Sequence, residues 1–177
     1  MRVNKIGGSW SGFRARYERD FLAQALRGRL RFFCTRSHGI DDEVECVAVK
    51  FDGKEVFRTT NNKYWEKWQE NKKMYLEKYG IDTYLKFLEI DLVNGGSFLI
   101  RHLYKAAHDY LNQPIELSLT DENAIVRMFA VLDRRVGKRR LKRLIGEIDE
   151  QPEWLRRLIR IRADAEGICG GEHDESH

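Results

Sequence analysis

The chain has 177 residues, of which 42% are hydrophobic and 34% charged, with 32 Lys and Arg against 28 Asp and Glu. That length suits a single domain with a real core, and the composition excludes an intrinsically disordered chain. No apolar run approaches a bilayer span and no signal-peptide core opens the sequence, so a cytoplasmic protein with no membrane role is expected.

Residues 1 to 9, with Gly7, Gly8 and Ser9, read as a flexible leader to one domain spanning 10 to 166. Trp10, Phe13, Tyr17 and Phe21 then recur at helical spacing, with Arg14, Arg16 and Arg19 on the wet side. The spacing predicts a helix ending near Gly28. Leu30 to Thr35 reads as a strand, Val44 to Phe51 as a second, and Asp52-Gly53 as the two-residue turn into a third, Lys54 to Thr59. Cys34 and Cys46 fit small, reduced core residues of these strands, since three cysteines at unrelated spacings make no disulfide framework.

Thr60 and Asn61 are placed to cap a helix running to Tyr79, with Trp65, Trp68, Tyr75, Leu76 and Tyr79 as its buried stripe and Gly80 as its stop. Asp82 caps a further helix carrying Tyr84, Leu85, Leu88 and Leu92. After the Asn94-Gly95-Gly96 turn, Ser97 caps Phe98 to Leu111, and Pro114 closes it. Thr120, followed by Asp121 and Glu122, starts a helix through Ile125, Met128, Phe129, Leu132 and Val136. Pro152 opens the last helix, with Trp154, Leu155, Leu158, Ile159 and Ile161 inward and Arg156, Arg157, Arg160 and Arg162 outward. A disordered tail over 167 to 177 is expected. The fold class is α+β: an N-terminal helix, a three-stranded antiparallel meander, then a helix-rich remainder, with the first helix and the Trp65 helix covering the sheet.

Charge is distributed unevenly. Residues 1 to 31 hold eight basic side chains and two acids, and residues 132 to 143 hold seven, Arg134, Arg135, Lys138, Arg139, Arg140, Lys142 and Arg143, against Asp133 alone. Leu141, Leu144, Ile145 and Ile148 share a face lying about 150° around from that of Ile125 to Val136, which no straight helix can bury. Two helices are therefore expected, with Gly137 at the break in the φ > 0 state of a C-terminal cap. The seven cations then crown a basic elbow, the candidate surface for RNA, DNA or another polyanion. The alternative is an accessory protein, meeting an acidic partner or its own acidic pole in a homodimer.

The remaining candidates are weaker. The α-β-β-β-α order of residues 10 to 79 resembles double-stranded-RNA-binding domains, but Asn61-Asn62-Lys63-Tyr64-Trp65 replaces the Lys-rich helix start that the resemblance implies. Arg101 and His108 resemble the Arg/His signature of HEPN ribonucleases. About 1.7 such matches are expected by chance and two occur, the other at Arg31 and His38. Cys169, His173 and His177 have metal-ligand spacing but lack a fourth ligand, so neither metal nor cofactor is expected. Asn94-Gly95-Gly96-Ser97 reads as a turn rather than a phosphate loop, and Trp65 and Trp68 as core rather than base-stacking surface.

Three stretches, Ala25 to Leu30, Asp52 to Phe57 and Ile125 to Leu141, together resemble a family of short, uncharacterised bacterial cytosolic proteins bearing a Leu-Asp-Arg-Arg-x-Gly-Lys-Arg block. The resemblance covers most of residues 10 to 145 and implies no catalytic residue.

Overall fold

Tyr17, with its ring wholly buried, is the point on which the N-terminal segment turns. In the computed structural model, which describes residues 9–38 and 43–168, helix α1 (Trp10–Arg16) is capped by Ser9, whose Oγ accepts from Gly12 N at 3.2 Å. It runs into a π turn, Tyr17–Phe21, and stops there rather than near Gly28. The reason is tertiary: Ala23 N donates to Leu132 O and Arg134 N to Phe21 O, so the chain leaves the helix to bridge a distant segment. The Tyr17 hydroxyl donates to Phe129 O at 2.7 Å.

The three strands, β1 (Leu30–His38), β2 (Glu43–Phe51) and β3 (Lys54–Thr60), form the expected antiparallel meander. At the β2–β3 turn, Asp52 and Gly53 both take positive φ, 48° and 78°. This is the primed turn whose twist suits a tight hairpin. Leu30, Phe32, Val47, Val49 and Phe57 are buried, while Arg31 and Arg58 remain exposed. Phe32 lies against Trp10, Tyr17 and Phe129, with ring centroids 5.8 to 6.4 Å apart. Such aromatic pairs each add about 0.5–1.5 kcal/mol beyond the area they bury.

Helix α2 (Asn61–Tyr79) starts and stops as expected: Thr60 Oγ1 accepts from Lys63 N, and Gly80 follows with φ 77°. Its buried anchor is Tyr64, and Trp65, expected in the core, is 43% exposed. α2 packs chiefly on α3 (Tyr84–Asn94), and Tyr64 takes the inward place expected of Trp65, joining Leu88, Leu92 and Leu99 in a small second core against which the expected Trp68 and Tyr75 also pack. Leu85, expected on the apolar side of α3, is exposed. Thr83 rather than Asp82 occupies the α3 cap position.

Helix α4 (Ile100–Asn112) begins two residues later than expected, and Ser97 is a buried residue ahead of it. The short α5 (Ile115–Leu119) comes next, and Asn123, not Thr120, caps α6 (Ala124–Leu132) by accepting from Ile125 N at 2.9 Å. α7 (Lys138–Gly146) and α8 (Glu153–Ala165) complete the fold. Ile168 is buried after Gly167, which turns the chain with φ 67°. Almost every α6 side chain is buried, which makes it the central helix, and α1, α4 and α8 surround it over the inner face of the sheet. No described helix is long and apolar enough to cross a membrane.

Candidate functional site

The elbow has two layers, an inner one that builds it and an outer one of free cations. As expected, two helices meet there, but Gly137 is the N-cap of α7 at φ −74°, not a positive-φ C-cap of α6. α6 ends because Asp133 turns extended and, with its neighbours Leu132 and Arg134, bridges to Phe21 to Ala23.

Asp133, the single acid of the basic block, is wholly buried. Its carboxylate accepts from the Tyr110 hydroxyl, from Arg135 N at 2.7 Å, and from Arg135 Nε and Nη2 at 3.0 and 2.7 Å. Burial and the neighbouring Asp133 charge push the Tyr110 phenol well above its ordinary pKa, so it stays a donor. The Arg135 guanidinium is held above its usual range by that same carboxylate, and it lies over the rings of Phe21 and Tyr110.

Arg162 closes the elbow from beneath. Expected on the wet face of α8, it is instead 1% exposed. Its guanidinium donates to the carbonyls of Val131, Asp133 (2.6 Å) and Val136 (2.6 Å), and pairs with Glu166 at 2.8 Å. The planar fork thereby satisfies the Val131 carbonyl near the end of α6 and the Val136 carbonyl beyond it, and adds a second donor to the Asp133 carbonyl, which also accepts from Val136 N at 3.1 Å; a Lys cannot reach three points at once. Asp133, Tyr110 and Arg162 were missed by reading charge as surface. The signal was present for Arg162: Leu155, Ile159 and Arg162 stand at i, i+4 and i+7, all on the buried stripe.

On the outer layer, Leu141 anchors α7 inward, which turns Arg139, Lys142 and Arg143 toward solvent. Of the seven candidate cations, Arg135 is bound to Asp133 and Arg140 pairs with Glu116 at 2.8 Å. Among the described residues, Arg134, Lys138, Arg139, Lys142 and Arg143 have no ion pair. The first turn of α7 carries Lys138, Arg139 and Arg140 and no acid. Beside it, a cleft of 440 Å³ is lined by Glu116, Leu119, Thr120, Arg139, Arg140 and Arg143.

The supporting cations divide similarly. Arg14 donates to Phe32 O, Arg19 pairs with Asp20, and Arg156 pairs with Asp149, whereas Arg157 and Arg160 are exposed and have no ion pair among the described residues. Among the described residues, Arg101 and His108 share no partner: Arg101 reaches Glu89 and the Trp65 ring, and His108 lies beside Asp109. Cys169, His173 and His177 lie outside the described residues, and within those described no group of three His, Cys, Asp or Glu side chains could hold a metal ion.

A family model described as the SF0329 protein family matches residues 9–163. Neither curated proteins nor solved structures gave a match. The match spans every element from α1 into α8, the elbow and its buried braces included. The chain belongs to the SF0329 protein family.

Proposed function

We propose that the outer face of the elbow binds the phosphates of a nucleic acid, RNA or DNA, through Lys138, Arg139, Lys142 and Arg143 with help from Arg134. The observation that carries this is the first turn of α7, where Lys138 and Arg139 stand at the positive end of the helix with no acid in that turn and no ion pair among the described residues, while Arg140 beside them is paired with Glu116. Cations there oppose the helix dipole, and a local rule broken without internal compensation marks a surface kept for something outside the fold. A phosphate would be met by open backbone N–H groups and by guanidinium forks together. The inner layer supplies rigidity, because Asp133 and Arg162 fix the angle at which α7 is presented.

The test is binding to random-sequence RNA and DNA across a salt series, with a Lys138→Glu/Arg139→Glu/Arg143→Glu variant alongside. Affinity should fall steeply with salt, and each lost contact should reduce the log–log slope by about 0.9 on duplex DNA. An unchanged slope in the variant, or no binding at about 50 mM salt, ends the proposal. A second reading, an accessory protein that docks on a partner or on itself, draws on the exposed Met74, Ile81 and Leu85 along the α2–α3 hairpin. Light scattering separates it, since a homodimer would hold twice the monomer mass in the absence of nucleic acid.

A further inference from the structure

A further groove lies away from α7, and nothing described so far uses it. It has a volume of 680 Å³ and is bounded by β3, the first turn of α2, the Asn94 to Gly96 turn and the start of α8. That is within the range of about 300–1,000 Å³ typical of small-molecule sites. Phe57 and Trp154 form its apolar wall. Trp154 is fixed: its indole Nε1 donates to Asn94 O at 2.9 Å, and its ring stands 4.9 Å from that of Phe57 and 5.9 Å from that of Phe98. Gly96 has φ 79°, and a Cβ there would come within 3.0 Å of the indole. The turn is therefore shaped to let the ring lie against backbone, while the half-buried indole still lines the groove.

Four cations line the groove: Arg58 on β3 is engaged by Glu55 at 2.6 Å, and three more come from two other elements, Lys63 in the first turn of α2, and Arg157 and Arg160 on α8. Lys63, Arg157 and Arg160 are exposed, and among the described residues none of these three has an ion pair. Arg157 and Arg160 are three positions apart, the spacing at which two helix side chains project side by side. Glu153 is the one carboxylate in the lining. A fixed indole beside unpaired cations suits a ligand with a flat ring and more than one negative charge. A simple inorganic anion would leave the apolar wall unused, and an aliphatic ligand would leave the cations unpaired.

We infer that this β3–α8 groove is a binding site for a nucleoside phosphate, its base against Trp154 and Phe57 and its phosphates on Lys63, Arg157 and Arg160. The site goes beyond the α7 reading, because none of its residues lies on α7. Two sources share that chemistry, a free nucleotide and a nucleotide within a single strand.

The experiment titrates the full chain with ATP by calorimetry and with fluorescein-labelled oligothymidylate and oligouridylate by anisotropy. Three proteins are compared: wild type, Arg157→Glu/Arg160→Glu, and the triple α7 variant. Binding of either probe that weakens by about tenfold or more in the α8 variant, and by less than about twofold in the α7 variant, supports the site. ATP binding identifies a free nucleotide, and oligonucleotide binding alone identifies a strand. A milder Arg157→Gln/Arg160→Gln variant, checked by its melting curve, keeps the result readable if charge reversal harms folding. Equal binding by wild type and α8 variants, or no binding of either probe to wild type, overturns the inference. In that event, loss of random-sequence RNA binding in the α7 variant alone would leave the α7 reading standing.

Discussion

The Arg162 guanidinium donates to the Asp133 carbonyl at 2.6 Å across 29 positions of chain, while the Asp133 carboxylate, facing the other way, is held by Arg135 and Tyr110. One residue is thus gripped from both sides, and the junction of α6 and α7 gets its angle from that grip. Arg162→Leu should strip the carbonyls of Val131 and Val136 of their Arg162 donor, leave the Asp133 carbonyl with Val136 N alone, and strand Glu166. Urea denaturation is expected to show a loss of about 3–5 kcal/mol. A Lys should recover only part of it, because one ammonium cannot reach three divergent carbonyls.

Asp133→Asn tests the upper half of the grip. The amide keeps the shape but removes the charge that Arg135 and Tyr110 engage, and a loss of about 2–4 kcal/mol is expected. Arg135→Ala should lose less, since its side chain is 45% exposed and water replaces part of the pairing. The double variant should fall short of the sum, as contacting residues do in a mutant cycle. It follows that charge reversal of Arg135 perturbs the fold, so binding contacts are better probed at Arg139, Lys142 and Arg143.

Local chemistry made much of the fold legible. Asp52-Gly53, the Thr60 cap and the Gly80 stop each have a short-range cause, and each stands where it was expected. The break between α6 and α7 was legible too, because two apolar faces cannot lie on one straight helix. What escaped has long-range causes. α1 stops where its successor pairs with residues more than 100 positions away, and Tyr64 rather than Trp65 faces inward because α2 packs on α3. Arg162 was hidden by a habit of composition: its stripe position pointed inward, but its charge pointed outward. Only the carbonyls at and beyond the end of another helix decide between them.

The α7 reading carries a stability signature opposite in sign to its effect on binding. Lys138→Glu and Arg139→Glu put acids in a first turn that now holds none, which complements the dipole. Thermal melts should rise by a few degrees while nucleic-acid binding is lost. A variant that melts lower would mean that these cations help to hold the elbow together, and would remove the argument for their being reserved for a ligand.

Gly96→Ala probes the wall of the β3–α8 groove. The substitution meets both a positive φ of 79° and a contact of 3.0 Å with the Trp154 ring, so the indole must shift from Phe57. A loss of about 1–3 kcal/mol is expected in chemical denaturation. The tryptophan emission should move to the red as the indole gains water.

His102 gives the fold a pH dependence whose sign is set by its cap. Its Nδ1 accepts from Leu99 N at 3.0 Å, which satisfies a free donor at the start of α4 and leaves the ring proton on Nε2. Burial first, then the charges of Arg101 and Lys105, pull its pKa down to about 4. Glu89 places a carboxylate oxygen 3.9 Å from Nε2, and the Tyr64 ring 5.2 Å away contributes no charge. The unfolded chain takes up its proton near pH 6.5 and the folded one only near pH 4, so stability is full above about pH 6.5 and falls as pH drops through that window. The loss approaches about 3 kcal/mol at pH 4, the amount that a fall in pKa from 6.5 to about 4 sets by linkage. Gln at this position can accept from the same N–H and does not titrate. Urea midpoints of His102→Gln measured from pH 7 to pH 4 should therefore decline less steeply than wild type, and parallel curves would show that another group governs the acid limb.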